Sequence, residues 1–208
     1  MKKILHIIAT PRGRESSTLA VSKSFLKTFR SQHLDWNVEE LDLFKEQLPS
    51  LTAQRVNGKY VLLGGQDLSG ELKESWQEIV VVIEKFISAD AYLLSVPMWN
   101  FSVPYVLKHY IDVILQPKYL FRYSPKGPEG LVKNKKMVII TSRGGDYTVD
   151  HLRGYDLQEP YLRAVFGFIG ISNIAFINAQ PMDALGLEVR EQKIKEAQES
   201  ARGIAKVL

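Results

Sequence analysis

The chain has 208 residues, of which 45% are hydrophobic, and a formal net charge of +4. It contains no cysteine, which excludes disulfides, thiolate nucleophiles and thiolate metal sites. The basic residues are scattered and no apolar run reaches the length of a membrane span, so we expect neither nucleic-acid nor membrane binding. No linker, repeat or signal-peptide pattern is evident. Residues 1–208 are therefore predicted to form one domain in the cytoplasm.

The first predicted strand covers residues 3–9, which are apolar apart from His6. It ends in a loop that contains the adjacent hydroxyl residues Ser16, Ser17 and Thr18 and leads into a helix. Free N–H groups at a helix start, the positive end of its dipole and hydroxyl donors suit a phosphate group. The loop matches neither of the glycine-rich nucleotide motifs. An ordinary N-cap by Ser16 or Ser17 explains the same residues, so both interpretations stay open.

The next elements lead to the centre of the predicted sheet. Residues 36–43 alternate between apolar and polar side chains, which is typical of an edge strand. Residues 44–70 are polar and rich in turn formers, which predicts a long excursion with short helical pieces. The helical period returns over residues 71–87. Residues 91–96 form an apolar run without alternation, which indicates a strand that is buried on both faces.

The loop after this third strand carries bulky side chains at a position that favours ligand binding. Pro97 ends the strand because it removes a backbone donor. The residues that follow directly are Met98, Trp99, Asn100 and Phe101. Ser102 is predicted to cap the next helix, with Pro104 in its first turn. Open α/β sheets bind ligands at the carboxyl ends of their strands. A plain strand-to-helix turn is the alternative interpretation.

A predicted helix over residues 103–115 precedes an insertion, residues 116–132, that has the pattern of a hairpin. Phe121 and Tyr123 belong to an aromatic cluster beside the turn residues of this insertion. Such a cluster suits a flap over a binding site. It suits a structural hairpin that is packed by its own aromatic side chains equally well.

The fourth core strand, residues 136–141, ends in a second glycine-containing loop. The loop begins with Ser142, Arg143, Gly144 and Gly145, and Tyr147 follows. Two successive glycines let the backbone approach a flat ligand closely, since any Cβ would block it. The remaining predicted elements are a helix over residues 161–169, a strand over 174–177 and a helix over 188–208.

The alternation of strands and helices predicts an α/β fold with a parallel sheet of about five strands and helices on both faces. The three unusual loops follow the first, third and fourth strands. In the doubly wound strand order 2-1-3-4-5, the first and third strands flank the switch point at which ligands bind. A flavin mononucleotide (FMN) would then place its phosphate on the first loop and its ring on the other two.

Taken together, the loops resemble those of the FMN-dependent NADH:azoreductase family of flavodoxin-like quinone oxidoreductases. The similarity includes Arg122 and Tyr123 before residues 127–131, as well as residues 168–171, and runs in the same order over nearly the whole chain. The resemblance implies a flavodoxin-like doubly wound parallel sheet, FMN as cofactor, and NADH or NADPH as electron donor. It also implies a homodimer with the flavin site at the interface. Azo compounds and quinones would be reduced by a ping-pong exchange.

The family match assigns site residues in three groups. Those for the phosphate and ribityl chain are Thr10, Ser16, Ser17 and Thr18. Those for the flavin ring are Pro97, Met98, Trp99, Asn100, Phe101, Ser142, Arg143, Gly144 and Gly145. Those for the substrate are Phe121, Tyr123 and Tyr147. No metal site is expected, because the four histidines are dispersed. No catalytic side chain is assigned, since the flavin carries the chemistry.

Two details of function follow from the loops. We hypothesise that donors near Gly144 and Gly145, helped by Arg143, stabilise charge at N1 and O2 of the reduced flavin. The alternative function is that of a flavodoxin-like electron carrier without substrate turnover. Such carriers tend to be acidic, whereas this chain is basic. A flavin-free scaffold with purely structural loops is the third interpretation.

Overall fold

A computed structural model describes all 208 residues, in which seven strands and seven α-helices follow one another along the chain. The strands are β1 (Lys2–Ile8), β2 (Trp36–Asp42), β3 (Ala91–Pro97), β4 (Phe121–Ser124), β5 (Gly127–Gly130), β6 (Lys136–Ser142) and β7 (Asn173–Ala179). The helices are α1 (Ser17–Gln32), α2 (Ala53–Leu63), α3 (Gly70–Ile87), α4 (Tyr105–Ile114), α5 (Asp150–Arg153), α6 (Gln158–Phe168) and α7 (Gly186–Val207). None of these helices combines the length and the hydropathy of a membrane span.

Five strands form one parallel sheet in the order β2-β1-β3-β6-β7. This is the predicted order 2-1-3-4-5 of the core strands, and the prediction of a doubly wound, flavodoxin-like sheet is confirmed. The strands β4 and β5 form a separate antiparallel hairpin, as the sequence predicts for the insertion. Pro97 of β3 pairs with Ser142 of β6, so the two strands end side by side. Their loops therefore leave the sheet at neighbouring points.

Helices cover both faces of the sheet because alternate strand residues face opposite sides. In β3, Tyr92 and Leu94 pack into the cluster that includes side chains of α3, α4 and α6. Leu93 packs into the opposite cluster with Phe25 of α1. The buried residues that the helix α7 contributes to this second cluster are all alanines, including Ala201, and Ile194 and Ile204 pack against it while partly buried. Burial of each large side chain contributes about 1.5–3 kcal/mol to stability.

The excursion over residues 44–70 contains more regular structure than the sequence indicates. It includes the eleven-residue helix α2, and Thr52 caps this helix by accepting a hydrogen bond from the Arg55 amide at 3.3 Å. The apolar pattern is weak because only Gly58 and Leu62 of α2 are buried. Gly58 lies against the ring of Trp76, since a Cβ added to Gly58 would stand 2.9 Å from two ring atoms of Trp76. The close helix contact therefore requires a residue that lowers helix propensity.

The prediction that Ser102 caps the fourth helix is wrong. The helix α4 begins at Tyr105 with Pro104 as its N-cap residue. Ser102 instead exchanges two backbone hydrogen bonds with Trp99, at 3.0 and 3.1 Å. The cap pattern misleads because a second structure, a tight turn, uses the same serine. The short helix α5 also goes beyond the sequence prediction.

A buried chain of polar side chains fastens the start of α1 to the sheet. The Nε2 atom of His6 lies 2.8 Å from Ser95 Oγ, and Ser95 Oγ lies 2.6 Å from Ser22 Oγ. Ser22 donates to the carbonyl of Thr18 at 3.0 Å. Burial, followed by the charge of Arg30, lowers the pKa of His6 to about 4. His6 is therefore neutral at pH 7 within the core.

The depressed pKa of His6 predicts a specific loss of stability in acid. The unfolded chain binds the proton of His6 near pH 6.5, whereas the folded chain binds it near pH 4. The stability that comes from keeping His6 neutral is complete above pH 6.5 and is lost as the pH falls from 6.5 towards 4. We expect urea unfolding to show that the wild type loses about 2 kcal/mol more than His6→Asn between pH 7 and pH 5.

The control for this experiment is His151→Asn, which removes an exposed histidine. This variant should follow the wild type at both pH values. Equal losses in the wild type and in His6→Asn would contradict a neutral, buried His6.

Candidate functional site

The three loops predicted from the sequence meet at the carboxyl edge of the sheet. They enclose a cavity of about 190 Å³ at the ends of β1, β3 and β6. The predicted residues that line it are Thr10, Ser16, Ser17, Pro97, Met98, Trp99, Ser142, Arg143 and Gly144. The cavity therefore lies at the switch point of a doubly wound sheet, where such folds bind their ligands.

Ser142 joins the three loops to one another. Its carbonyl accepts a hydrogen bond from the amide of Met98 at 2.9 Å, which links the loops after β3 and β6. Its hydroxyl lies 2.6 Å from the hydroxyl of Thr18, which links the loop after β6 to the first turn of α1. Residues that are far apart in sequence are thus fixed around one cavity.

The start of α1 supplies hydrogen-bond donors to this cavity. Ser16 is the N-cap residue, and its hydroxyl accepts from the amide of Leu19 at 3.3 Å. The amides of Ser17 and Thr18 donate to no other group of the chain. Free amides at the positive end of a helix favour an anion. The N-cap interpretation and the anion-site interpretation are therefore compatible, because Ser16 caps the helix and also lines the cavity.

Thr18 does not face the cavity as the sequence assignment implies. Its side chain is fully buried and its hydroxyl is used in the contact with Ser142. The reason is that Thr18 is the second residue of α1 and points inward to the sheet rather than outward to the loop. Its hydroxyl therefore holds the loops together, and Thr18 itself is not part of the cavity wall.

The loop after β3 is a two-residue turn with a strained backbone. Trp99 and Ser102 exchange both backbone hydrogen bonds across it. Asn100 has φ of 47° and Phe101 has φ of 69°. Positive φ at both central residues is the signature of a type I′ turn. For a bulky residue such as Phe101 this conformation costs roughly 1–2 kcal/mol, and strain of this kind is concentrated at functional sites.

The turn displays an aromatic surface at the rim of the cavity. The ring of Phe101 is 46% exposed, and its centroid lies 5.4 Å from that of Tyr155. On the other side, Trp99 packs near Phe44 and Tyr105, with centroid distances of 6.0 and 6.5 Å. Asn100 is exposed at the tip of the turn. Asn100 and Phe101 therefore lie at the rim rather than in the wall of the cavity.

Gly144 lines the opposite wall of the cavity, and the predicted site residue Gly145 follows it in the chain without lining the cavity. The carbonyl of Gly144 accepts from the amides of Asp183 and Ala184, at 3.1 and 3.2 Å. The amides of Gly144 and Gly145 donate to no group of the chain. A Cβ on Gly144 would stand 3.0 Å from Asp183 Oδ2. The loop thus offers two unpaired amides at a place where a larger residue would crowd its neighbour.

The contacts of Arg143 within the chain do not favour the hypothesis that its side chain helps to stabilise a ligand charge, which stays a prediction. Its guanidinium is buried, and Nη1 donates to Asp156 Oδ2 at 2.8 Å, with Glu159 Oε2 at 3.7 Å from Nη2. Its Nε donates to the side chain of Gln158 at 3.2 Å, and Gln158 in turn donates to the carbonyl of Pro97 at 3.1 Å. Because two carboxylates already neutralise it, Arg143 is a positioning residue that ties the loop after β6 to the end of β3.

The hairpin β4–β5 packs one aromatic side chain inside the protein and exposes another, so neither the structural-hairpin nor the flap interpretation from the sequence is excluded. Phe121 is 5% exposed and its ring lies 4.8 Å from that of Phe168, which makes it part of the packing. The prediction that Phe121 contacts a substrate is therefore not supported. Tyr123 is 63% exposed and remains available to a ligand. In the loop after β6, the ring of Tyr147 lies beside Gly145, because a Cβ added to Gly145 would stand 3.7 Å from Tyr147 Cε2.

Four residues of the cavity wall were not assigned from the sequence. They are Arg12, Met182, Asp183 and Arg190. Met182 and Asp183 follow β7 at the same edge of the sheet, so the rule that such sheets bind ligands at the carboxyl ends of their strands could have identified them. Arg12 is visible as a basic residue of the first loop. Arg190 lies within α7, and no sequence signal places it near the first loop.

A larger cavity of about 630 Å³ lies elsewhere, between the segment after β2 and the helices α2 and α3. Its charged residues are already paired with one another. Arg55 forms an ion pair with Glu78, and Lys85 lies 3.6 Å from Glu46. It shares no lining residue with the cavity at the switch point. We therefore place the candidate site in the smaller cavity.

The donors around the smaller cavity fit FMN. Hydroxyls and the free amide of Ser17 suit a phosphate. Bulky side chains, Met98 and Trp99, suit a flat ring. The free amides of Gly144 and Gly145 suit the carbonyl and nitrogen acceptors of a pyrimidine ring.

The fold and this cavity define the class of flavodoxin-like proteins, and comparison with known proteins narrows the class. The chain belongs to the Flavodoxin_2 family, described by its flavodoxin-like fold, whose model matches residues 2–204.

Two related proteins align with most of this chain. It is 39% identical over 182 residues to an FMN-dependent NADH:quinone oxidoreductase of Desulfotalea psychrophila, a match that covers 87% of this chain and 86% of the relative. It is 35% identical over 206 residues to the protein of the same name from Nitratidesulfovibrio vulgaris, with 99% of both chains covered.

Solved structures agree with these relatives. The azoreductase of Bacillus anthracis str. Sterne superimposes with a TM-score of 0.91 at 28% identity and full coverage of both chains. An FMN-dependent NADH-azoreductase of Bacillus anthracis str. Ames Ancestor, solved in complex with FMN, gives a TM-score of 0.85 at 29% identity. This match covers 99% of this chain and 100% of that one.

The strained turn generates a test that separates stability from binding. We expect Phe101→Gly to raise the free energy of unfolding, by roughly 1 kcal/mol, because glycine adopts positive φ without a steric penalty. The same change removes the rim aromatic and should weaken FMN binding. Urea unfolding measures the first effect and flavin fluorescence titration the second.

The control is Phe101→Leu, which keeps the backbone strain but removes the aromatic ring. It should weaken FMN binding without raising stability. If Phe101→Gly left FMN affinity at the wild-type value, the rim would not be part of the site.

Proposed function

We propose that this protein is an FMN-dependent oxidoreductase that uses NADH to reduce quinones and azo compounds. The carrying observation is the cavity at the switch point, in which three loops present free donors and apolar side chains that match FMN. The names of its relatives support the same activity. Their names specify NADH, so we propose NADH as the donor. In this proposal all 208 residues act as one flavodoxin-like domain, and the cytoplasmic location stays a prediction from the sequence.

The residues present divide the binding of FMN between three loops. Ser16, Ser17 and the first amides of α1 hold the phosphate, with Thr10 next to them. Met98 and Trp99 contact the ring and exclude water from one side of it. Bound FMN supplies the redox chemistry, because it accepts two electrons from the nicotinamide and passes them to the acceptor.

The amides of Gly144 and Gly145 stabilise the charge that develops on the pyrimidine side of the ring during reduction. They are suited to this role because they are fixed donors without a partner in the chain. Arg143 acts indirectly, since its contacts with Asp156 and Gln158 hold the backbone of this loop. The acceptor contacts Phe101 at the rim of the cavity and the exposed Tyr123 of the hairpin β4–β5.

We also propose that the site is completed by a second copy of the chain. The cavity of about 190 Å³ is smaller than the roughly 300–1,000 Å³ that is typical of ligand pockets. Exposed apolar side chains surround it, and Phe101, Tyr155 and Leu157 adjoin one another there. Contiguous exposed apolar groups beside a site mark an interaction surface. A homodimer would cover these groups and add the missing wall.

The carrier alternative is less well supported. A carrier needs only an exposed edge of its flavin, whereas this chain also displays Tyr123 on a separate hairpin. The relatives are named as oxidoreductases rather than carriers.

The test mixes FMN-loaded protein with NADH under anaerobic conditions in a stopped-flow instrument. We expect rapid loss of the absorbance of oxidised flavin, and its return when a quinone is added afterwards. Initial rates at several quinone concentrations should give parallel double-reciprocal lines, because each substrate reacts in a separate half-reaction. NADPH serves as the comparison donor.

A matched pair of variants places the reaction in the cavity. Ser17→Glu puts a negative charge where the phosphate binds and should abolish flavin loading, whereas Ser31→Glu changes an exposed serine at the far end of α1 and should not. Flavin that stays oxidised with NADH, but accepts electrons from dithionite, would favour the carrier function.

A further inference from the structure

Arg190 brings a guanidinium to the cavity from the C-terminal helix. It lies in the second turn of α7 and lines the cavity together with Arg12. Its Nη2 donates to the hydroxyl of Ser17 at 3.1 Å. Arg190 therefore contacts one of the residues that start α1, although 173 positions separate the two in sequence.

The charge of Arg190 has no counter-charge in the chain. Two other basic residues of α7, Lys193 and Arg202, form ion pairs with Glu196 and Glu199. Arg190 lies within salt-bridge distance of no carboxylate and is half-buried. A partly buried charge without a partner is costly. An anion in the cavity would offset this cost.

The other charges of the cavity wall leave room for such an anion. Arg12 is only loosely associated with Glu15, at 3.8 Å, and both side chains are exposed. Asp183 lies against Gly144, in the wall formed by the loop after β6. The wall next to α1 thus carries two guanidinium groups, hydroxyls and helix amides, and no carboxylate that is held close to them. This donor set matches a phosphate monoester, which carries about −1.5 to −2 charges at pH 7.

We propose that Arg190 recognises the phosphate of FMN and makes the site selective for FMN over riboflavin, which has the same ring without the phosphate. The inference rests on the proposed function and adds a residue to it. A guanidinium offers several N–H donors in a fixed plane, so it binds a phosphate while one donor stays on Ser17. The C-terminal helix thereby becomes part of the cofactor site.

The experiment compares the affinities of flavin-free full-length protein for FMN and for riboflavin, each measured by fluorescence titration. The variants are Arg190→Gln, Arg190→Lys and the control Arg202→Gln, which changes a half-buried arginine of the same helix that does not line the cavity. Circular dichroism and thermal unfolding verify that each variant is folded.

We expect Arg190→Gln to weaken FMN binding at least about tenfold, because a charge-assisted hydrogen bond to the phosphate is lost. Its riboflavin affinity should stay within about twofold of the wild type, as should both affinities of Arg202→Gln. Arg190→Lys should recover part of the FMN affinity, since it restores the charge. The dependence of FMN binding on salt should be weaker in Arg190→Gln than in the wild type.

Two results would overturn the inference while leaving the proposed function intact. The first is FMN binding by Arg190→Gln that matches the wild type. The second is an equal loss of FMN and riboflavin affinity, which assigns Arg190 a structural role on Ser17. A wild-type protein that binds neither flavin would contradict the proposed function itself, and the inference with it.

Discussion

The site depends on the pairing of β3 with β6 at their carboxyl ends. This pairing places Ser142 next to Pro97, and from there Ser142 is bonded to Met98 through its carbonyl and to Thr18 through its hydroxyl. One residue thus fixes three loops, because Met98 lies 44 positions and Thr18 lies 124 positions before Ser142 in the chain. The open ends of parallel strands supply the cavity, and these bonds give it a defined shape.

The architecture follows from the sequence because its causes are local or simply periodic. The apolar run of β3 and the amphipathic helices predict a doubly wound sheet, and the position of each loop at a strand end predicts where the site forms. The directions of individual side chains are not predictable in this way. Thr18 points to Ser142, and Arg143 points to Asp156 and Gln158, because of contacts made by residues that are distant in sequence.

Two further local structures, the helix α2 and the turn after β3, cannot be predicted from sequence patterns, and each has a physical reason. The helix α2 is weakly amphipathic, since its buried side is formed by a glycine that accommodates Trp76. The type I′ turn has the favoured asparagine at its first central position, Asn100, but places Phe101 with positive φ where glycine is usual. A local rule is broken here at the rim of the cavity, and such exceptions are expected where function requires a particular display of side chains.

The central claim is that one FMN is held by three loops at the carboxyl edge of the sheet. A crystal structure of the protein grown with FMN tests it most directly. We expect to find the phosphate at the first turn of α1 and the ring between Met98, Trp99 and the amides of Gly144 and Gly145. Flavin density in the larger cavity beside α2 and α3, or an empty switch point in crystals of the yellow protein, would contradict it.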